Sequence, residues 1–229
     1  MLRLTPLLLA IAYAYLMYRF SVWRTKQELD ARSTPMADAT LRAICDRMAE
    51  ALNVASIPVN IYDVEPVNGL AAPDGRIFLT RGFYDKYRSG AVTAEEMASV
   101  IAHELGHVAL GHSKRRMIDF SGQNAIRMAL ASVLNRFLPG LGILIANGVT
   151  MLLAARLSRQ DEYEADAYAS ALLVKAGIGT GPQKSLFRKL PGLTGAAGGP
   201  PVWLASHPRT EDRIAAIEAN EERWRRSIG

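Results

Sequence analysis

The chain has 229 residues, 49% of them hydrophobic, and a formal net charge of +5. It is long enough for one catalytic domain with a substantial core plus accessory segments. The basic residues are dispersed apart from small groups at Arg19–Lys26, Lys114–Arg116 and Arg223–Arg226, which excludes the dense basic stripe of a nucleic-acid binder. Cys45 stands alone, so there is no internal disulfide. It shares an apolar helix face with Leu41, Ile44 and Met48, where it reads as a buried structural thiol.

The N-terminus, "MLRLTPLLLAIAYAYLMYRFSVWRTK", is uncharged from Leu4 to Tyr18, and the apolar segment reaches Trp23 if Arg19 snorkels. A bilayer core needs about 20 helical residues. With no small-x-small cleavage site after the run, residues 1–24 are expected to be an uncleaved, single-pass membrane anchor rather than a signal segment. Arg19, Arg24 and Lys26 outweigh Arg3 and favour a cytosolic domain, but the opposite orientation stays open. Residues 25–229 are expected to form the catalytic domain. Met36–Leu52 reads as an amphipathic helix and 59–64 as a strand. Pro73-Asp74-Gly75 reads as a turn joining two short strands. Leu70, Ala71 and Ala72 then form either an edge that pairs with an extended substrate or simply one more strand of the sheet.

"IAHELGHVALGH", residues 101–112, holds three of the four histidines. Thr93 and Glu96 form a capping box at the start of a helix carrying Met97, Val100, Ile101, Leu105 and Val108. His103 and His107 fall one turn apart, about 40° around the axis, with converging rings. His112 lies about 180° from His103 and is not expected to share their metal. His-Glu-x-x-His is the spacing of a zinc protease: two imidazole ligands and a glutamate, here Glu104, placed as general base. Leu110 and Ser113 stand where a metzincin would need glycine and histidine. The third ligand is therefore sought on a later helix, Ser158–Val174, where Glu162 and Asp166 share a face and Glu164 points about 200° away from Glu162. Glu162 is the expected ligand, and Asp166 the acceptor that orients a ligand histidine through its free N–H.

"HELGH", "SRQDEYEADAYA" and "SHPRTEDRI" in this order resemble the HtpX and type I CAAX prenyl protease family of gluzincin metallopeptidases. The resemblance implies one Zn²⁺ per chain on His103, His107 and Glu162, with Glu104 as base. The implied fold is mainly α with a small β-sheet (α+β), a zincin-like domain behind an N-terminal membrane helix. It also implies a role for His207 in "SHP". Two roles are open: a displaceable fourth ligand that latches the resting enzyme, or a donor to the oxyanion; a surface histidine without a catalytic part is the bland alternative. "NGLAAPDGRIFLT" resembles the family's Asn-Ala-x-Ala element, which brings Asn68 into the substrate strand, although Gly69 stands where alanine is usual.

Phe137–Ala155 is uncharged and long enough to span. It lies between His107 and Glu162, however, and a single crossing would separate the ligands. With Pro139, Gly140, Gly142 and Gly148 in it, the segment reads as a buried or membrane-surface helical hairpin. Gly177–Pro201 reads as a long mobile loop and Arg209–Arg226 as a terminal helix. The expected function is hydrolysis of peptide bonds in protein or peptide substrates at a membrane, in quality control of membrane or envelope proteins. The alternative is a membrane-tethered chaperone or scaffold with a structural or latched zinc site, marked by a missing base or a fourth fixed ligand.

Overall fold

A computed structural model describes residues 5–72, 74–112, 131, 134–137, 141–193 and 210–228. The described elements are, in chain order, α1 (Thr5–Ala31), β1 (Ser33–Pro35), α2 (Ala39–Leu52), β2 (Val59–Tyr62), β3 (Gly69–Ala71), β4 (Ile77–Thr80), α3 (Arg81–Arg88) and α4 (Ala94–Ala109). They continue with α5 (Gly142–Lys175), α6 (Gly181–Leu193) and α7 (Thr210–Ile228). The protein is mostly helical with one small mixed sheet, the α+β class. The strands run in the order β1-β2-β4-β3. β1 and β2 are antiparallel, β2 and β4 parallel with Val59 opposite Ile77, and β3 and β4 antiparallel with Leu70 opposite Phe78. β3 is thus an edge strand. It turns into β4 through Gly75, whose φ is +88° and whose N–H donates to the Ala72 carbonyl.

The core is built where one face of the sheet and four helices meet. Leu41 and Met48 of α2, Ile77 and Leu79 of β4, Met97 and Ile101 of α4, Leu173 of α5 and Leu186 of α6 are all buried there. Cys45 is buried among them, and burial pushes its thiol up to about 12. The other sheet face packs Phe78 against Leu29, at the end of α1. Tyr62 there donates to Glu28, and Arg76 pairs with Asp30 at 2.7 Å. α2 begins at Ala39, three residues later than the apolar pattern suggests, because Asp38 caps it by accepting from the Leu41 N–H. α4 begins at the predicted capping box, with Thr93 and Glu96 satisfying each other's backbone N–H groups.

Two expectations change. The stretch 177–201 is not one long loop: Gly177 and Gly179, both with positive φ, make a turn, and α6 follows. Pro182 sits in its first turn, where proline is tolerated, and Leu186, Phe187 and Leu190 are buried at helical spacing. Glycine and proline content concealed that period; residues 194–201 lie outside the described residues. Of the two readings of the second apolar run, buried or membrane-surface, its described large apolar side chains do not support the buried one. From Gly142 it is the first half of α5, one helix of 34 residues that runs on through Glu162. Ile143, Leu144, Ile145, Val149 and Met151 are exposed there. Any turn of the expected hairpin falls before Gly142, and residues 113–130, 132, 133 and 138–140 lie outside the described residues. Among the described residues no helix is long and apolar enough to cross a membrane.

Candidate metal centre

α4 and α5 cross at small residues. A Cβ on Gly106 would lie 3.0 Å from the Ala165 Cα and carbonyl oxygen, so the glycine of "HELGH" sets how closely the two helices approach. That approach carries Glu162 to the two histidines. Nε2 of His103 lies 3.1 Å from Nε2 of His107 and 3.4 Å from Glu162 Oε2. Nε2 of His107 lies 3.5 Å from Glu162 Oε1. All three side chains are buried, and their donor atoms form one of two described groups that could hold a metal ion. A tetrahedral zinc with ligands at roughly 2.0–2.2 Å holds its ligand atoms roughly 3.3–3.6 Å apart. The two histidine–glutamate spacings fall in that range, the histidine–histidine spacing is about 0.2 Å shorter than it, and the His, His, Glu donor set suits that ion.

Residues 35–221 match the sequence profile of Peptidase family M48. The chain belongs to that family. It is 32% identical over 196 residues to metalloprotease LoiP of Escherichia coli, covering 83% of this chain and 75% of the relative. It is 34% identical over 181 residues to metalloprotease YcaL of the same organism, covering 75% and 66%. A protease HtpX homolog of Verminephrobacter eiseniae is 30% identical over 156 residues, covering 56% and 53%. As a member of family M48 the chain is a metalloendopeptidase, in line with the resemblance carried by its three motifs.

The M48 domain surrounds His103 with charge. Its Nδ1 lies 2.9 Å from Asp166 Oδ1, which leaves Nε2 to face His107 and Glu162. Asp166 also accepts two hydrogen bonds from Arg213 of α7, Nε to Oδ2 at 2.6 Å and Nη2 to Oδ1 at 2.7 Å. Gln183 reaches it weakly at 3.4 Å and is itself held by the Ser170 hydroxyl at 2.7 Å. Burial alone would raise the Asp166 pKa, but Arg213 and His103 hold it below the usual carboxylate range. Burial pushes the His103 pKa down, and the Asp166 and Glu162 carboxylates outweigh it, raising it to about 9 in the metal-free protein. A zinc ion must displace that proton.

Arg213 belongs to the site although no motif spacing in the sequence marks it. It is 1% exposed, stacks over the Phe187 ring at 4.4 Å, and places Nη1 3.6 Å from Glu162 Oε2. One signal was available: Arg213 shares a helix face with Ile217, four residues on, so a guanidinium lies on the buried side of the terminal helix. Glu164 does not join Glu162; it lies 3.2 Å from Nε2 of His112.

Glu104 is buried beside the histidines, and the edge strand runs against it. A Cβ on Gly69 would lie 3.5 Å from Glu104 Cγ and Oε1, and 2.7 Å from Val100 Cγ1. Val100 is stiff at χ1, so the space an alanine methyl would fill is already taken. That accounts for glycine where the family element has alanine. Asn68 bonds back to Thr80 of β4 and Ala72 to the Arg76 carbonyl just before it, while the Asn68 side chain accepts from the Gly69 N–H. By the alternation of an antiparallel pair, Ala71 directs its N–H and carbonyl to the open edge. His207 lies outside the described residues.

Proposed function

We propose that this chain is a membrane-anchored zinc endopeptidase of one catalytic domain, residues 25–229, behind an anchor at residues 1–24, and that it cleaves membrane or envelope proteins in quality control. The observation that carries the zinc reading is the convergence of His103 Nε2, His107 Nε2 and the Glu162 carboxylate, with the far nitrogen of His103 tied to Asp166. A zinc ion held by the three would supply Lewis-acid activation of a water and of the scissile carbonyl. Glu104, buried at the same place, is the general base: its carboxylate would take a proton from the attacking water and deliver it to the leaving amine. The substrate chain lies along β3 and pairs with Ala71, so Asn68, Leu70, Ala71 and Ala72 form the strand that presents the scissile bond beside Glu104. His207 would act as a latch, a ligand of the zinc that substrate displaces.

Attachment to a membrane is supported by the exposed apolar residues Tyr15, Leu16, Phe20 and Trp23 of α1. The exposed Ile143, Leu144, Ile145, Val149 and Met151 of α5 add a second surface for a bilayer.

The test is incubation of the purified full chain with an unfolded protein, with and without chelator, followed by sequencing of the products. Cleavage should stop with chelator and return with zinc. Glu104→Gln should stop it while about one equivalent of zinc stays bound, since the base is not a ligand. Cleavage by Glu104→Gln at the wild-type rate would remove Glu104 from the mechanism, and cleavage in chelator would remove the zinc. His207→Ala should cleave as fast or faster and digest itself if His207 is a latch. A fall in kcat of about 10²-fold would make it an oxyanion donor instead.

A further inference from the structure

α4 ends at Leu110, and Gly111, with a φ of +68°, turns the chain so that His112 comes to lie against His107. His112 is 1% exposed. Its Nδ1 is 2.8 Å from Nδ1 of His107, and the rings meet edge to face with centroids 5.0 Å apart. Its other nitrogen, Nε2, is 3.2 Å from Glu164 Oε2 and 3.9 Å from Asp161 Oδ1.

Two imidazole nitrogens at hydrogen-bond distance share one proton, and the zinc reading decides which ring carries it. A neutral His107 that turns Nε2 to the ion carries its proton on Nδ1. That N–H donates to Nδ1 of His112, which must then be bare. The proton of neutral His112 is therefore on Nε2, where it donates to the Glu164 carboxylate. From the ion outward, every member of the row has one fixed role.

We propose that His112 is the positioning residue for His107, the counterpart of Asp166 for His103: a neutral imidazole that accepts the Nδ1–H of the second ligand and is itself fixed by Glu164. The proposal rests on the zinc reading of His103, His107 and Glu162. Ligand histidines are oriented by the acceptor of their second N–H, and losing that acceptor typically costs about 10- to 100-fold in metal affinity or activity. The same assignment argues against a second cation at His112, Asp161 and Glu164, although their ligand atoms lie within 4.8 Å of one another. With its proton on Nε2, His112 has no lone pair to offer there.

Two measurements on the full chain test this. In the first, ¹⁵N-histidine NMR of the zinc-loaded protein reads the tautomers, with His112→Asn assigning the signals. The expected result is a proton on Nδ1 of His107 and on Nε2 of His112. In the second, zinc is titrated into the metal-free wild type and variants. His112→Leu should bind about 10- to 100-fold more weakly. His112→Asn, whose amide oxygen can take the place of Nδ1 as acceptor, should stay within about threefold of wild type. That rescue separates an acceptor from a side chain that merely fills space, and the wild-type tautomers report even if His112→Leu does not fold. A proton on Nδ1 of His112, unchanged zinc affinity in His112→Leu, or a second zinc equivalent lost in Glu164→Gln would overturn the proposal while leaving the primary site standing. Zinc binding unaffected by His103→Ala would overturn both.

Discussion

Arg213→Met keeps the length of the side chain and its contact with Phe187, and removes the charge that pairs with Asp166. Both groups are almost wholly buried, and the pair is bidentate at 2.6 and 2.7 Å. Removing one member of such a pair leaves a buried charge and costs about 3–5 kcal/mol. In the metal-free protein His103, with its pKa raised to about 9, is protonated at neutral pH and partly compensates Asp166, so the lower figure, about 3 kcal/mol, is expected. Arg213 also fixes the Asp166 carboxylate that orients His103 through its Nδ1. Zinc affinity should then fall about 10- to 100-fold, or about 1.4–2.7 kcal/mol, so the loaded protein loses about 4–6 kcal/mol in all. Urea unfolding in chelator measures the first quantity, and competitive zinc titration the second. Asp166→Asn with Arg213→Met should be no less stable than Arg213→Met alone, because the stranded charge has been removed. The reasoning is refuted if Arg213→Met costs under about 1 kcal/mol with unchanged zinc affinity, or if the two substitutions add.

Glu162→Ala should lose bound zinc, whereas Glu164→Ala should keep it, because Glu164 faces His112; metal analysis of the two proteins decides this. Gly69→Ala should destabilise by about 1–3 kcal/mol through overpacking against Val100 Cγ1, and Gly69→Ala with Val100→Ala should recover most of that loss in thermal unfolding. Glu96 is bonded to Thr93, Ser185 and Lys189. Burial works to raise its pKa, but these partners hold it below the ordinary 4.5. A depressed carboxyl pKa stabilises above the unfolded value and stops doing so as the pH falls through the folded one. The stability lost in Glu96→Gln should therefore be full at pH 6 to 7 and shrink on acidification below about 4.5. A loss independent of pH would rule out the charged form as its source.

What the sequence determined by itself was local. A capping box and a 3.6-residue period fix the phase of α4, and phase alone turns His103 and His107 to one side. The same rule separates Glu162 and Asp166 from Glu164. Helical period was also present in α6, where glycine and proline hid it, and on the Arg213 face of α7. Tertiary structure decided the matters in which distance along the chain says nothing about distance in space. Gly106 against Ala165 sets the approach that brings Glu162 to the histidines. α7 brings Arg213 to Asp166, 47 residues away in sequence. The positive φ of Gly111 returns His112 to His107, a contact that no helical projection contains, because the helix has already ended. The exposure of Ile143, Leu144, Ile145, Val149 and Met151 on α5 is of the same kind. Composition says that those residues avoid water, and only packing decides whether the protein itself covers them.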